Sequence, residues 1–138
     1  MDCVLENNPS ECDLEILSQG VTSAGRAISK SEARPIAVFI RSEGAVVAGV
    51  SGRTEFSRLF INYLWVSEEH RGQGIASRLL ATIESAAKAR GCNDAVIETL
   101  LDDVASLYTR RGYSALAVIP NYVGRFSRYI LRKSLVRG

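Results

Sequence analysis

The segment that most constrains the fold is a run of strand-forming residues that passes through a glycine-rich turn into an amphipathic helix. Residues 59–66 are rich in aromatic and branched aliphatic side chains, as is typical of a β-strand. Beyond the turn, apolar side chains recur at every fourth position and would lie on one face of a helix. These side chains are Ile75, Leu79, Ile83 and Ala87. Gly91 follows as the expected left-handed cap of that helix.

Further strand-like runs surround this unit. Two precede it, and short turns join all three, which favours an antiparallel meander. After the helix come a buried strand, a short helix and two final strands joined by a loop at residues 120–124. The predicted runs are 36–41, 46–52 and 59–66, then 94–100, 104–110, 113–119 and 128–135. If strands 59–66 and 94–100, which this helix connects, are neighbours in one sheet, they form a right-handed parallel crossover. The expected class is therefore α/β (α+β), with a mixed, mostly antiparallel sheet and flanking helices.

The first thirty residues are less regular. Residues 9–28 have helix-like spacing, with Asn8 or Ser10 as the N-cap, and Gly20 and Gly25 are expected to divide the segment. A short strand is expected before it, at residues 3–6.

Length and charge exclude several classes of protein. A chain of 138 residues, 46% of them hydrophobic, can bury one sizeable core, so we expect a single domain over residues 1–138. The net charge is only +2 and no block of like charge occurs, so nucleic acid is not an expected partner. No apolar run approaches the roughly 20 residues of a membrane span, and no membrane association is expected.

The cysteines indicate a reducing compartment. Cys3, Cys12 and Cys92 are odd in number and lack paired spacing, and the N-terminus lacks the layout of a secretory signal. We therefore expect a cytoplasmic protein with free thiols, in which Cys92 is a small buried hydrophobe. His70 is the single histidine of the sequence, so no zinc site and no metal are expected.

The glycine-rich turn has the properties of an anion site. Where a strand turns into a helix, the first backbone N–H groups of the helix point at one spot, and the helix dipole makes that spot positive. Gly72 and Gly74 let the backbone approach a phosphate closely, and Arg71 adds a charge. A Walker loop is excluded because the chain has no Gly-Lys pair, and a dinucleotide fingerprint fits poorly because Ser77 occupies the third glycine position. The glycines alone are equally typical of an ordinary turn before a core helix.

Two motifs in this part of the chain resemble a known family. Arg71-x-x-Gly74-x-Ala76, with Leu64-Trp65-Val66 before it and Leu79-Leu80 after it, resembles the acyl-CoA signature of the GNAT superfamily of N-acetyltransferases. Leu107-Tyr108-x-x-x-Gly112-Tyr113 resembles the Leu-Tyr-x-x-x-Gly-Phe segment of the same family. The resemblance covers residues 36–135 and includes little of the first thirty.

The resemblance implies where the acyl donor binds. In the family, a bulge splays the strand that enters the turn away from its parallel neighbour, and the pantetheine arm lies in the opening on backbone groups. A backbone N–H there could also stabilise the oxyanion. For the Trp65 side chain itself we expect core packing. The cofactor is then acetyl-CoA, bound by Leu64, Trp65, Val66, Arg71, Gly72, Gln73, Gly74, Ile75, Ala76 and Ser77.

The resemblance also supplies catalytic candidates. Tyr108 matches the tyrosine that protonates the departing thiolate, and packing on the core is its alternative role. Glu98 is the first candidate for the base that accepts the proton of the amine, although a surface or paired carboxylate is equally consistent with the sequence. Weaker candidates are Glu55, Glu68, Glu69 and Tyr63. Asp102 stands where the family commonly has Asn, which is unfavourable near phosphates unless the side chain points away or pairs with Arg110 or Arg111. No catalytic role is assigned to His70.

The function implied is the transfer of an acetyl group from acetyl-CoA to a primary amine by direct attack. Two alternatives stay open, a non-catalytic module that binds acyl-CoA and an enzyme that acetylates protein lysines or N-termini. The acceptor is a small-molecule amine or a protein amine, and the acyl length of the donor is also open. Because few residues precede the meander, we expect an acceptor cleft that is open or is completed by a second subunit of a homodimer.

Overall fold

A computed structural model describes residues 1–29, 32–100 and 102–136. Contacts divide the chain into two compact units, Met1–Glu32 and Ala33–Gly138. The assignment of the whole chain to one domain stays a prediction.

The first unit contains one helix, α1, at Glu11–Ser29. Ser10 is its N-cap, since the Ser10 hydroxyl oxygen accepts a hydrogen bond of 3.1 Å from the backbone N–H of Asp13. The expected division at Gly20 and Gly25 was wrong, because one glycine costs a helix only about 1 kcal/mol. The strand expected at residues 3–6 was also wrong, because that segment has no strand to pair with in its own unit.

The second unit is a mixed sheet with two helices. Its elements are β1 (Arg34–Ser42), β2 (Ala45–Glu55), β3 (Arg58–Val66), α2 (Ile75–Ala89), β4 (Asp94–Thr99), α3 (Asp102–Arg110), β5 (Ser114–Val123) and β6 (Phe126–Ser134). Over the described residues the sheet has six strands in the order β1-β2-β3-β4-β6-β5. β3 and β4 are parallel and every other pair is antiparallel. The predicted fold class is confirmed.

Two connections are shorter than the sequence indicated. β2 continues to Glu55, and a tight turn at Phe56 and Ser57 follows, with φ angles of 56° and 59°. β5 continues to Val123, so most of the loop expected at residues 120–124 is strand. Pro120 is tolerated there because β5 lies at the edge of the sheet, where one side of the strand needs no ladder partner.

The core of this unit lies between the apolar face of α2 and one face of the sheet. Leu79 and Ile83 of α2 are fully buried, together with Val50 and Leu59 of the sheet. Each such side chain stabilises the fold by about 2 kcal/mol. Gly91 ends the α2 segment with a φ of 89°, as its position predicted.

The three cysteines are free, as expected. Cys92 is buried in the core, and burial raises the pKa of its thiol. A thiol in this environment behaves as a small hydrophobe rather than as a nucleophile.

Candidate functional site

The parallel pair β3–β4 opens partway along its length. Across the described part of both strands the ladder holds four pairs, the last of which is Ile61 with Ile97. β3 nevertheless remains paired with β2 as far as Val66, and β4 remains paired with β6 as far as Thr99. The two strands therefore diverge after Ile61 and leave a cleft between their facing backbone edges.

A β-bulge marks the point of divergence. On the β2 side, Gly52 pairs with Ile61 and Ser51 pairs with Tyr63, so Asn62 is an additional residue in β3. A bulge of this kind bends the strand that contains it and locally increases its twist. The splay implied by the family resemblance is thus present in β3, and Asn62 is its origin.

The bulge also changes which side chains face the core. Simple alternation from Leu59 and Ile61 would point Tyr63 and Trp65 toward α2. The additional residue reverses this order, so that Leu64 and Val66 pack against the core instead. The Trp65 side chain is 51% exposed, and the expectation that it packs in the core was wrong.

Gly52 is the residue that makes the bulge possible. A Cβ atom at this position would lie 2.0 Å from the carbonyl oxygen of Phe60, which no side chain can accommodate without a shift of the backbone. The sequence analysis did not identify Gly52 as important. A glycine inside a strand-like run is the available signal, since it often marks a bulge or a close approach of two backbones.

The glycine-rich turn lies at the open end of β3 and leads into α2. Gly72 and Gly74 have φ angles of 75° and 74°, in the left-handed region that favours glycine. The first hydrogen bond of α2 runs from the N–H of Arg78 to the carbonyl of Gly74. The N–H groups of residues 75–77 precede this bond and form the positive end of the helix.

A cavity of about 310 Å³ adjoins this turn, and we refer to it as the turn cavity. Its walls are Val66, His70, Arg71, Gly72, Gly74, Ile75, Ala76, Ser77, Leu107 and Arg110. Most of the predicted donor site is therefore brought together, whereas Leu64, Trp65 and Gln73 do not line this cavity. Leu107 and Arg110 come from α3, and only the fold brings them to the turn.

Polar contacts hold the turn in place. The Arg71 Nε donates a hydrogen bond of 3.0 Å to the carbonyl of Val66, which folds the side chain back over the end of β3. The ring nitrogen Nδ1 of His70 lies 2.6 Å from the hydroxyl oxygen of Ser67. These contacts fix a cationic group and a short 3-10 turn beside the positive end of α2.

Tyr108 lies on α3 and is only 1% exposed. Its ring meets the ring of Tyr113 edge-on, with 5.4 Å between centroids. Burial raises the pKa of the Tyr108 phenol, so the group keeps its proton at neutral pH. Its sequence neighbour Leu107 lines the turn cavity, whereas Tyr108 is not among the residues that line it. The assignment of Tyr108 as the acid stays a prediction.

A buried polar cluster supports the tyrosine pair. The Tyr113 hydroxyl donates a 2.9 Å hydrogen bond to Glu84, and Lys133 donates one of 2.7 Å to the other oxygen of the same carboxylate. Burial is the main cause of the raised pKa of Tyr113, and the charge of Glu84 raises it further. The cluster ties α2, β6 and the end of α3 together around the tyrosine pair.

A second cavity, of about 470 Å³, lies on the diverging strands, and we refer to it as the splay cavity. It is lined by Arg53, Phe60, Ile61, Asn62, Tyr63, Val96, Ile97, Glu98 and Arg128. Glu98 accepts two hydrogen bonds from Arg128, one of them 2.9 Å long from Nε. The same bonds raise the pKa of the Arg128 guanidinium. The predicted base is thus a paired carboxylate at the wall of this cavity.

The weaker candidates for the base are scattered. Tyr63 lines the splay cavity together with Glu98, whereas Glu55 is buried near the end of β2. Glu68 and Glu69 lie in the 3-10 turn after β3 and line neither cavity.

Asp102, which stands where the family commonly has Asn, accepts a 2.5 Å hydrogen bond from the Tyr129 hydroxyl, and this bond raises the pKa of that phenol.

Residues 1–29, 32–100 and 102–136 contain no group of three or more His, Cys, Asp or Glu side chains that could hold a metal ion. In the same part of the chain no helix is long and apolar enough to cross a membrane.

A splayed parallel pair that ends in a glycine-rich turn before a helix is the layout expected of an acyl-CoA-dependent acyltransferase. The model of the acetyltransferase (GNAT) family matches residues 7–113. The chain therefore belongs to the GNAT family of acetyltransferases.

Individual relatives agree with this assignment. A blasticidin-S acetyltransferase of Streptomyces morookaense is 31% identical in an alignment of 130 positions that covers 88% of this chain and 96% of the relative. An acetyltransferase of Agrobacterium fabrum is 38% identical over 88 residues, and the match spans 63% of this chain and only 64% of that relative. A crystal structure from Agrobacterium tumefaciens, named as a candidate acetyltransferase, superposes with a TM-score of 0.89 at 29% identity and covers 97% of this chain and 99% of its own.

Proposed function

We propose that the protein transfers an acetyl group from acetyl-CoA to a primary amine by direct attack of the amine on the thioester. The observation that carries the proposal is the opening of the β3–β4 pair after Ile61, with a cavity on the diverging strands and the glycine-rich turn at the end of β3. Such an opening lets two substrates approach the same backbone edge.

The turn cavity fits the pyrophosphate of the donor. The positive end of α2, the left-handed glycines and Arg71 all lie at this cavity, and Arg110 of α3 also lines it. A glycine at 72 or 74 leaves no Cβ between the backbone and a phosphate. When bound, the donor supplies a thioester carbonyl to be attacked and a thiol to be released.

Three groups of the chain would then have separate roles in the reaction. A backbone N–H on the free edge of β3, at residues 64–66, would stabilise the oxyanion that forms when nitrogen bonds to the carbonyl carbon. Glu98 would accept the proton that the attacking amine loses. Tyr108 would give its proton to the sulfur as the carbon–sulfur bond breaks, and it would regain one from solvent. No covalent enzyme intermediate is required.

The acceptor is assigned only by class. The relative from Streptomyces morookaense is named for the acetylation of blasticidin S, which supports a small-molecule acceptor. Acetylation of a protein amine and binding of acyl-CoA without turnover are the competing functions. The free thiols of Cys3 and Cys12 support a cytoplasmic location, and a second subunit that completes the cleft stays a prediction.

Release of free CoA tests the proposal directly. Purified protein would be incubated with acetyl-CoA and single amines from four groups: amino acids, polyamines, antibiotic amines and peptides with a free lysine or N-terminus. A thiol reagent would report release against a reaction without acceptor, and mass spectrometry would identify the acetylated product. Release that depends on a small amine supports the proposal, and release with peptides only supports the protein-modifying alternative. Tight binding of acetyl-CoA without release from any amine would identify a binding module.

A further inference from the structure

The charges that line the splay cavity do not balance. Among its described lining residues are Arg53, Arg128 and Glu98, and the Arg128–Glu98 pair neutralises itself through two hydrogen bonds to one carboxylate oxygen. Arg53 is the remaining charged residue of the described lining, and its salt-bridge partner Glu55 does not line the cavity, which under the proposed function receives an amine.

Arg53 is held in a position from which it can bind an anion. Its guanidinium lies 4.2 Å from the centroid of the Phe60 ring, and its Nε is 3.5 Å from the nearest oxygen of Glu55. That separation is too long for a strong charged hydrogen bond. The Arg53 side chain is 42% exposed while that of Glu55 is 9% exposed, so the arginine rather than the glutamate is accessible to a ligand. A guanidinium stacked on a ring keeps its N–H edge for a planar group such as a carboxylate.

The sheet sets the distance between Arg53 and Glu98. Arg53 pairs with Phe60, Phe60 pairs with Val96, and Glu98 is two residues further along β4. Strand spacing and rise place the Cα atoms of Arg53 and Glu98 about 12 Å apart. Both side chains are long and can reach into this span, so a small molecule with an amine and a carboxylate a few bonds apart would contact both.

We propose that the acceptor is an amine that also carries a carboxylate, with the carboxylate on Arg53 and the amine beside Glu98. The inference rests on the proposed acetyl transfer and specifies its substrate class. In the reaction the amine nitrogen gains the acetyl carbon and loses one proton, and the CoA sulfur leaves and gains one. The carboxylate of the acceptor is unchanged, so the product is an N-acetylated acid. Acceptors with several positive charges and no anion are disfavoured, because Arg53 repels them.

Matched acceptors provide the test. Amino acids, including those with a side-chain amine, would be compared with their own carboxamides, which keep the amine and lose the negative charge. For wild-type protein, kcat/KM should favour the acid by about 10- to 100-fold, the usual contribution of a charged hydrogen bond. Arg53→Gln should remove most of this preference by slowing the acids much more than the carboxamides, and Arg53→Lys should retain part of it.

Arg41→Gln is the matched control. Arg41 also lies over a phenylalanine ring, that of Phe39 at 5.2 Å, but it does not line the splay cavity. This variant should keep the preference for the acid. Circular dichroism and thermal unfolding would verify that the variants at position 53 remain folded.

The two proposals fail in different ways. Equal kcat/KM for acids and carboxamides, or a preference that survives Arg53→Gln, overturns the inference and leaves acetyl transfer standing. If no amine is acetylated, the proposed function fails, and calorimetry with CoA-saturated protein then decides the inference. Binding of the acids but not of the carboxamides, lost in Arg53→Gln, supports it, and binding of neither overturns it.

Discussion

Asp94 and Glu98 are two carboxylates on the same strand, four residues apart, and both are bound by arginine. Asp94 lies in the paired segment of β3–β4, residues 58–61 and 94–97, where its side chain is 4% exposed. Glu98 lies in the splayed segment, residues 62–66 and 98–99, where its side chain is 45% exposed. The same chemical pairing is therefore present in two different environments.

The difference in exposure indicates that Asp94 stabilises the fold, whereas Glu98 is accessible for binding. Asp94 accepts two hydrogen bonds from Arg58 of β3, at 2.7 and 2.9 Å, and one of 2.7 Å from Arg132 of β6, so it ties three strands together. The bond from Arg58 holds the pKa of Asp94 below its ordinary value of 3.8. Among the described residues Glu98 has one arginine partner, Arg128, and it lines the splay cavity. Burial makes the first pair structural, and exposure leaves the second accessible to a ligand.

The largest expected effect tests the chemistry proposed for the splayed segment through Tyr108, which lies on α3 outside that segment. Tyr108→Phe removes the proposed proton donor while retaining the ring that packs on Tyr113. We expect kcat to fall by about 100- to 10,000-fold, the usual contribution of general acid catalysis, with the affinity for acetyl-CoA unchanged. Steady-state kinetics and calorimetric titration of acetyl-CoA provide the two measurements.

Tyr122→Phe is the control for this substitution. Tyr122 is an exposed tyrosine on β5 whose ring centroid lies 5.1 Å from the Arg128 guanidinium, a contact that phenylalanine retains, so loss of the hydroxyl should leave kcat unchanged. A normal kcat in Tyr108→Phe would remove Tyr108 from the mechanism.

The second prediction concerns the boundary between the two segments. Gly52→Ala places a Cβ atom against the carbonyl of Phe60 and forces β2 and β3 apart at the bulge. We expect a loss of about 3 kcal/mol in the free energy of unfolding, because neither backbone can move without breaking the ladder. Urea denaturation measures the change.

A glycine in open surroundings is the control for Gly52. Gly20 lies inside α1, where a Cβ meets nothing within 4 Å, and Gly20→Ala should stabilise its helix by about 0.5–1 kcal/mol. If Gly52→Ala were as stable as the wild type, Gly52 would not be the residue that permits the bulge.

The third prediction compares the contributions of the two carboxylates to stability by removing the charge of each. Asp94→Asn leaves Arg58 and Arg132 without their anion and should lower the free energy of unfolding at pH 7 by about 2 kcal/mol. This is less than the cost of breaking a fully buried pair, since both guanidiniums are partly exposed. Glu98→Gln should change it by no more than about 0.5 kcal/mol, as for other exposed pairs.

The contribution of Asp94 to stability should also change with pH in a defined direction. Because the pKa of Asp94 is lower in the folded state than in the unfolded state, its contribution is present above about pH 4 and is lost as the pH falls through the folded value. The stability difference between wild type and Asp94→Asn should therefore shrink in acid. Urea titrations at a series of pH values would detect it, and a constant difference down to pH 2 would contradict the assignment.

The smallest expected effect concerns the turn at the open end of β3. Gly74→Ala meets no steric obstacle but must adopt a φ of 74°, which costs a non-glycine residue about 1 kcal/mol. We expect the affinity for CoA to fall about fivefold as the turn relaxes away from this geometry. Gly124→Ala introduces comparable strain in the β5–β6 turn, and it should leave the affinity unchanged. If Gly74→Ala and Gly124→Ala bind CoA with equal affinity, Gly74 is not part of the donor site.

The sequence was sufficient for the elements whose signals are local. The four-residue repeat from Ile75 to Ala87 predicted α2, and its boundary at Gly91 follows from the left-handed cap. The residues that line the turn cavity were mostly predicted as well, because they are contiguous in sequence and their function depends on backbone geometry.

The features that depend on distant partners could not be predicted in the same way. The bulge at Asn62 arises where Gly52 of a different strand approaches the chain, and it alone explains why Trp65 faces away from the core. Arg53 and Arg128 are 75 positions apart and meet at one cavity only because β3 and β4 diverge between them. A periodic pattern in the sequence cannot predict that two such distant residues line the same cavity.

The additional residue at Asn62 has a consequence for how a chain like this can acquire new substrates. Before the bulge, alternate residues of β3 fill the core, and beyond it the positions of Tyr63 and Trp65 point away from the core. Substitutions at these two positions change exposed surface, which at Tyr63 includes the wall of the splay cavity, and they leave the buried side chains of the core unaltered. One additional residue in β3 thus lets two exposed positions vary without altering the side chains that fill the core.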